Sequence, residues 1–187
     1  MIINRIEISF KNIKIENMNA EELLWRYAEG QREFSGIDLS NIELFEANLE
    51  GINLEGCNLT RAYLPYANLN QANLQGCNLL EVEMGDIQLY KANLSNTNIQ
   101  QGHLSRANLR HANLQGANLR GINLQGANLY HANLKDTDLR YGDLRGTNLE
   151  KAKLDNAKLG WCNLFRARIV DLSMAEYDHT TINPNGY

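Results

Sequence analysis

The 187-residue chain of 21.2 kDa has room for one domain or a short repeat array and too little for two full-sized domains. Its 43% hydrophobic and 21% charged residues are those of a folding chain, and a 7% aromatic share with two prolines excludes disordered and proline-rich stalk classes. The formal net charge of -4 argues against general binding to nucleic-acid phosphates or acidic membrane surfaces, and no window approaches the roughly 18 apolar residues of a membrane span.

Residues 1–33 carry no repeat. Met1 to Phe10 lack a basic region followed by an apolar run, so the cytoplasm is the expected compartment. Ile6, Ile8 and Phe10, then Ile13 and Ile15, alternate with polar residues and suggest one or two short strands. Residues 19–30 read as a helix, with Asn17 or Asn19 as N-cap, acidic residues in the first turn and Gly30 as the stop. Its apolar residues Leu23, Leu24, Trp25 and Tyr27 are expected to cover the open end of whatever follows, because the first layer of a stacked array exposes unpaired backbone.

From Phe34 onward every fifth residue is large and apolar. Positions 39 to 174 are Leu at this spacing except for Met84, Ile99, Ile169 and Met174, so Leu39, Leu59, Leu79, Leu109, Leu129 and Leu149 are expected in the core. Two residues earlier stands a small or β-branched residue, usually Ala, and between the two usually Asn. On a helix, five residues turn about 500°, which scatters the leucines around the surface; on a continuous strand, an odd period sends them to alternate faces. A short extended side followed by a corner resolves the conflict: Ala in, Asn out, Leu in, two corner residues out. Gly at 51, 56, 76, 116, 121, 126 and 146, with Asn at 41, 96 and 156, suits the positive φ of a type II turn at the second corner position.

This Ala-Asn-Leu-x-x pattern resembles the pentapeptide-repeat family, and the resemblance covers 34–176. It implies an all-β solenoid, a right-handed quadrilateral parallel β-helix with four pentapeptides per coil, about seven coils and, at about 4.8 Å per strand, a rod roughly 34 Å long. The organisation implied is a strand and helix cap over 1–33, the β-helix over 34–176 and a tail over 177–187. A helix leading into Arg32-Glu33-Phe34-Ser35-Gly36 also resembles the leaders of bacterial, particularly cyanobacterial, members. The tail carries no helix to close the last coil, and family members that dimerise often use this end, so a homodimer through the C-terminal coil is one expected contact.

Cys57, Cys77 and Cys162 occupy the inward small position and read as buried hydrophobes. Cys57 and Cys77 would stack at disulfide distance, but parallel side chains and a reducing cytoplasm oppose the bond. The unbroken register offers no loop to wall a cleft, and no phosphate-cradling, Walker or zinc-helix motif occurs; no catalytic residue, cofactor or metal site is expected. His111 and His131, between Lys91 and Lys151, form one outward column better read as solvated polar surface than as a metal perch.

Function is therefore expected on the outer surface. Residues 38–86 carry a net charge of -7, 87–135 carry +5, and 136–176 are balanced, giving an axial dipole suited to steering a partner. Tyr141 and Trp161 fall on one corner column and Phe165 on the next corner, the expected patch for a protein partner, still unidentified. Tyr90, Arg110 and Tyr130 suggest a cation-π ladder. The reading is a rigid interaction or scaffold module. The alternative, a DNA mimic resembling the quinolone-resistance members that protect DNA gyrase and topoisomerase, fits the acidic first third and conflicts with the basic middle.

Overall fold

The computed structural model describes residues 18–168 and 171–186. The strands expected around Ile6 to Ile15, and Ile169, lie outside these residues. Every side of the coil is a single paired residue, and each pairs in parallel with the residue 20 positions on, from Glu33↔Asn53 through Asn148↔Arg168. Twenty residues with four corners make a quadrilateral coil.

The corners follow from backbone chemistry. At most corners the inward residue that follows donates its N–H to the carbonyl of the preceding large apolar residue, as in Ile42 to Leu39 at 3.2 Å, closing a four-residue turn. The second corner residue has positive φ at every corner from Gly36 to Arg166, whether it is Gly121 at 68°, Asn96 at 57° or Trp161 at 62°. Glycine and asparagine mark this conformation in the sequence, but the stacked neighbours impose it equally on Tyr66, Lys91 and His131.

Hydrogen bonding explains the Asn of the motif. In 92–96, Ala92 N–H closes the turn onto Leu89, Asn93 donates to Ala72 in the preceding coil, and Leu94 and Asn96 donate to Asn113 and Gln115 in the next. The one N–H left, of Ser95, is taken by the Asn93 side-chain Oδ1 at 3.2 Å. All five donors of the pentapeptide are thus satisfied, and the asparagine supplies the acceptor that the coils cannot. Where Tyr63 occupies that position, the corner residue that would need the acceptor is Pro65, which has no N–H.

The six expected core leucines are buried, Leu149 being the most accessible at 2%. Bulk in the small-residue column is shared between coils: Val82, Gly102, Ile122, Gly142 and Cys162 follow one another, and a Cβ at Gly142 would stand 2.8 Å from the Leu139 carbonyl and 3.4 Å from Ile122. Thr97, Thr137 and Thr147 fit the same position because each hydroxyl donates to the carbonyl three residues back, all at 2.7 Å.

Helix α1 spans Ala20–Ala28, with Asn19 as N-cap accepting from Glu22 N–H and Gly30 at φ 95° beyond its end. Met18 and Leu23 join the core, and the Tyr27 hydroxyl donates to the Glu50 carbonyl at 2.8 Å. Leu24 and Trp25 do not share this role: they are 37% and 54% exposed, and Arg26 is buried instead. At about 100° per residue, positions 20, 23, 26 and 27 share one arc, whereas 25 points away and 24 lies at the margin.

The twenty-residue register ends earlier than the sequence spacing indicates. After Asn148↔Arg168 the pairs are Lys158↔Glu176 and Asn163↔Ile182, separations of 18 and 19. The shortened coil brings the Met174 carbonyl to Asn156 N–H and leaves Met174 63% exposed, not inward; Leu172 and Ala175 pack partly against the core. The tail then lies edge to edge on the last regular coil, with Ile182 donating to Cys162, Arg166 to Pro184, and the buried Thr181 hydroxyl to Leu159.

Candidate protein-interaction surface

Tyr141 and Trp161 stack across adjacent coils, ring centroids 6.2 Å apart and nearly parallel, and remain 55% and 62% exposed. The Arg120 guanidinium lies 5.2 Å from the Tyr141 ring, at the first position of the same corner one coil earlier. Phe165 sits at the neighbouring corner, 37% exposed, with Arg166 at 4.9 Å from its ring and Gly186 of the tail close enough that an added Cβ would stand 3.6 Å from the ring edge. The expected patch is therefore a Tyr141–Trp161 stack and a separate Phe165 anchor, each carrying an arginine.

The other end of the rod holds a second exposed aromatic group. Phe45 stacks on Tyr63 at 6.3 Å and meets Tyr66 edge-on at 5.7 Å, the three rings being 50%, 44% and 53% exposed. A search down columns of period 20 misses it, because Phe45, Tyr63 and Tyr66 occupy neighbouring columns of successive coils. Separations of 18 and 21 would have found it. Glu43 and Glu46 flank Phe45, and Glu83 is stacked over Tyr63.

Along the flat sides the asparagines form ladders. Asn73 donates its Nδ2 to Asn53 Oδ1, Asn93 to Asn73, Asn113 to Asn93 and Asn133 to Asn113, at 2.9 to 3.2 Å. Asp138 and Asp143 replace Asn in other columns and accept from Arg140 and Arg145 instead. Hydrogen bonds from those guanidinium groups hold both carboxyls below their usual range, despite partial desolvation. Arg106 does the same for Asp86, with a smaller contribution from the Tyr66 hydroxyl.

The histidine column is aromatic in character. His111 and His131 stack at 5.1 Å, and Tyr90 and Tyr130 meet these rings edge-on. Desolvation first, then Lys151 and His111, push the His131 imidazole below its usual range. The cation-π ladder expected of Tyr90, Arg110 and Tyr130 is redistributed: Arg110 and Lys91 lie by Tyr90, whereas Lys151 lies by Tyr130.

The three cysteines are free and buried. Each thiol donates to a backbone carbonyl, Cys57 to Phe34, Cys77 to Leu54 and Cys162 to Leu139. Burial raises all three, Cys77 and Cys162 to about 12, which makes them poor nucleophiles. Among the described residues no three His, Cys, Asp or Glu side chains gather as a metal site, and no helix is long and apolar enough to cross a membrane.

These surfaces ride on a scaffold shared with known proteins. HetL, a pentapeptide repeat protein involved in heterocyst differentiation regulation from Nostoc sp. strain PCC 7120, is similar at 27% identity and a TM-score of 0.53, over 91% of this chain and 99% of that one. QnrB1, a plasmid-mediated fluoroquinolone resistance protein, is similar in fold at 18% identity and a TM-score of 0.58, over 79% and 80% of the two chains. No curated protein sequence matches. A family model of eight pentapeptide repeats matches residues 42–80, 87–126 and 127–164, most of the stretch over which the i, i+20 pairing holds. With that register and that match together, the chain is a member of the pentapeptide-repeat family.

Proposed function

We propose that this protein is a non-catalytic, rigid interaction module of the cytoplasm: a right-handed quadrilateral rod of about seven coils at about 4.8 Å per coil, closed at its N-terminal end by α1. The observation that carries the reading is the Tyr141–Trp161 stack, two large aromatic rings more than half exposed and held rigid on a corner by an identical backbone turn in each coil. Exposed, preordered aromatic rings lose little side-chain entropy on binding, which is why such residues dominate interface energetics. Three thiols buried and unpaired accord with a reducing compartment. The end of the rod offers a further contact for a second copy, where Met174, Tyr177 and Ile182 are exposed beside the irregular last coil. A DNA mimic needs carboxylates along its length, and the reversal from -7 over 38–86 to +5 over 87–135 runs against that role.

The test is affinity capture from native lysate with wild type and with a folded Tyr141→Ser, Trp161→Ser, Phe165→Ser variant as baits. The reading expects a protein enriched by wild type and lost by the variant. Identical recovery by both baits would contradict it, and recovery of gyrase subunits by both would support the mimic instead.

A further inference from the structure

Two aromatic groups of opposite electrostatic character face the same side of the rod, at opposite ends. The shared side consists of two corners, 40–41 and 45–46 with their stacked equivalents, and the flat column from Glu43 between them. In its first coils, up to Asp86, this side carries Glu43, Glu46, Glu81, Glu83 and Asp86 against Arg61, a net -4. From Gln100 to Arg166 it carries Arg106, Arg120, Arg140, Arg145 and Arg166 against Asp143, a net +4. The acidic end holds Phe45, Tyr63 and Tyr66; the basic end holds Tyr141, Trp161 and Phe165. Phe45 and Phe165 share one corner column, six coil steps and about 29 Å apart at about 4.8 Å per coil.

Small and long residues pair along the Phe45 corner: Gly85, Ser105, Gly126 and Gly146 stand beside Asp86, Arg106, Gln125 and Arg145, and two shallow depressions of about 330 and 480 Å³ meet at Gln125 and Gly126. These depressions leave room for a partner's side chains between the two aromatic ends. The outermost charges are also uncommitted: among the described residues Glu43, Glu46 and Arg166 make no ion pair, whereas the inner Asp86 and Arg106 neutralise each other.

A side that is acidic and aromatic at one end, and basic and aromatic at the other, is self-complementary under a two-fold axis perpendicular to the rod. We propose that this side is the contact surface for a second copy of the same chain, laid antiparallel so that the acidic aromatic end of each copy meets the basic aromatic end of the other, with Phe45 and Tyr66 opposite Phe165. The contact is isologous and closed, so it yields a dimer and not a filament. It rests on the reading of the Tyr141–Trp161 patch as a protein-binding surface and names the partner. Arg166, lying on the Phe165 ring, would face Glu46 in the assembly, and Arg120, lying on the Tyr141 ring and 4.0 Å from Asp138, would face Glu81.

The test is sedimentation equilibrium of the full chain with two charge-reversed variants, Glu46→Arg and Arg166→Glu, which the dyad places opposite each other, each first shown to melt like wild type. Wild type should dimerise with an affinity that falls as salt rises. Each variant alone should weaken dimerisation by about tenfold or more, because both contacts become like-charged. An equimolar mixture of the two variants should recover a dimer, since every contact again joins opposite charges. A wild type that stays monomeric at all concentrations would overturn the proposal, while leaving the capture experiment to decide whether the patch binds a different protein. So would a dimer indifferent to both variants, particularly one abolished by Met174→Glu with Ile182→Glu, which would place the contact at the open end.

Discussion

At the residue scale, the motif asparagine of the laddered columns does two jobs that the sequence pattern alone does not separate. Its Oδ1 accepts the corner N–H two residues on, and its Nδ2 donates to the asparagine one coil back, as Asn93 does to Ser95 and Asn73. Aspartate preserves the first job and removes the second. Asn93→Asp should therefore cost about 1–2 kcal/mol at neutral pH, since a carboxylate would face the Asn73 Oδ1 acceptor. Thermal melts check it. The native Asp138 and Asp143 give the rod a pH dependence. Their carboxyls are held low by Arg140 and Arg145, so their stabilisation is complete above the ordinary aspartate pKa and is lost as pH falls through the lowered values. Wild type should lose stability in acid, and Asp138→Asn should flatten that limb.

The corner residues give a second test at this scale. Gln101, at φ 56°, pays the left-handed strain of an L-residue, and Gly121, at φ 68° one coil on, does not. Gln101→Gly is expected to raise stability by up to about 1 kcal/mol, and Gly121→Ala to lower it by a similar amount. The added methyl has room, standing 3.7 Å from Gln101, so strain alone decides the sign. Equal effects in the same direction would refute the account of the corners.

At the element scale, each coil is held by what its neighbours leave open. Leu109 is fully buried, and Leu109→Lys would place an unpaired ammonium in the core and unfold the rod, whereas Arg110→Lys, on the exposed corner, should be near neutral. Gly142 is a subtler case, because its Cβ would collide with the Leu139 carbonyl and the Leu144 side chain. Gly142→Ala should cost about 1–3 kcal/mol by overpacking, measurable by chemical denaturation.

Period five, the inward leucines and the positive-φ corners were legible in the sequence because each depends on a contact within one pentapeptide or with its stacked equivalent. The helix was legible in extent, but its buried face was misjudged at Leu24 and Trp25, since an apolar residue on a short helix is not thereby an inward one. Met174 continued the leucine spacing and yet lies outside, because the shortened last coil is fixed by pairings of Glu176 and Ile182 that no local pattern announces. Of the candidate surface, the Tyr141–Trp161 column followed from the period. The Phe45, Tyr63 and Tyr66 group required knowing how neighbouring columns meet at a corner.

At the scale of the whole molecule, the regular core confines most chemical variety to the exterior of the rod. Charge and aromatic rings are sorted along that exterior, acidic toward α1 and basic beyond the middle, with both aromatic groups on one side. The account is tested most directly by small-angle X-ray scattering of wild type over a concentration series. It predicts that the scattering mass doubles with concentration while the long dimension stays near that of a single rod, roughly 34 Å of stacked coils at about 4.8 Å each plus its ends. Doubling of the length together with the mass, or a mass that never rises above that of one chain, would contradict it.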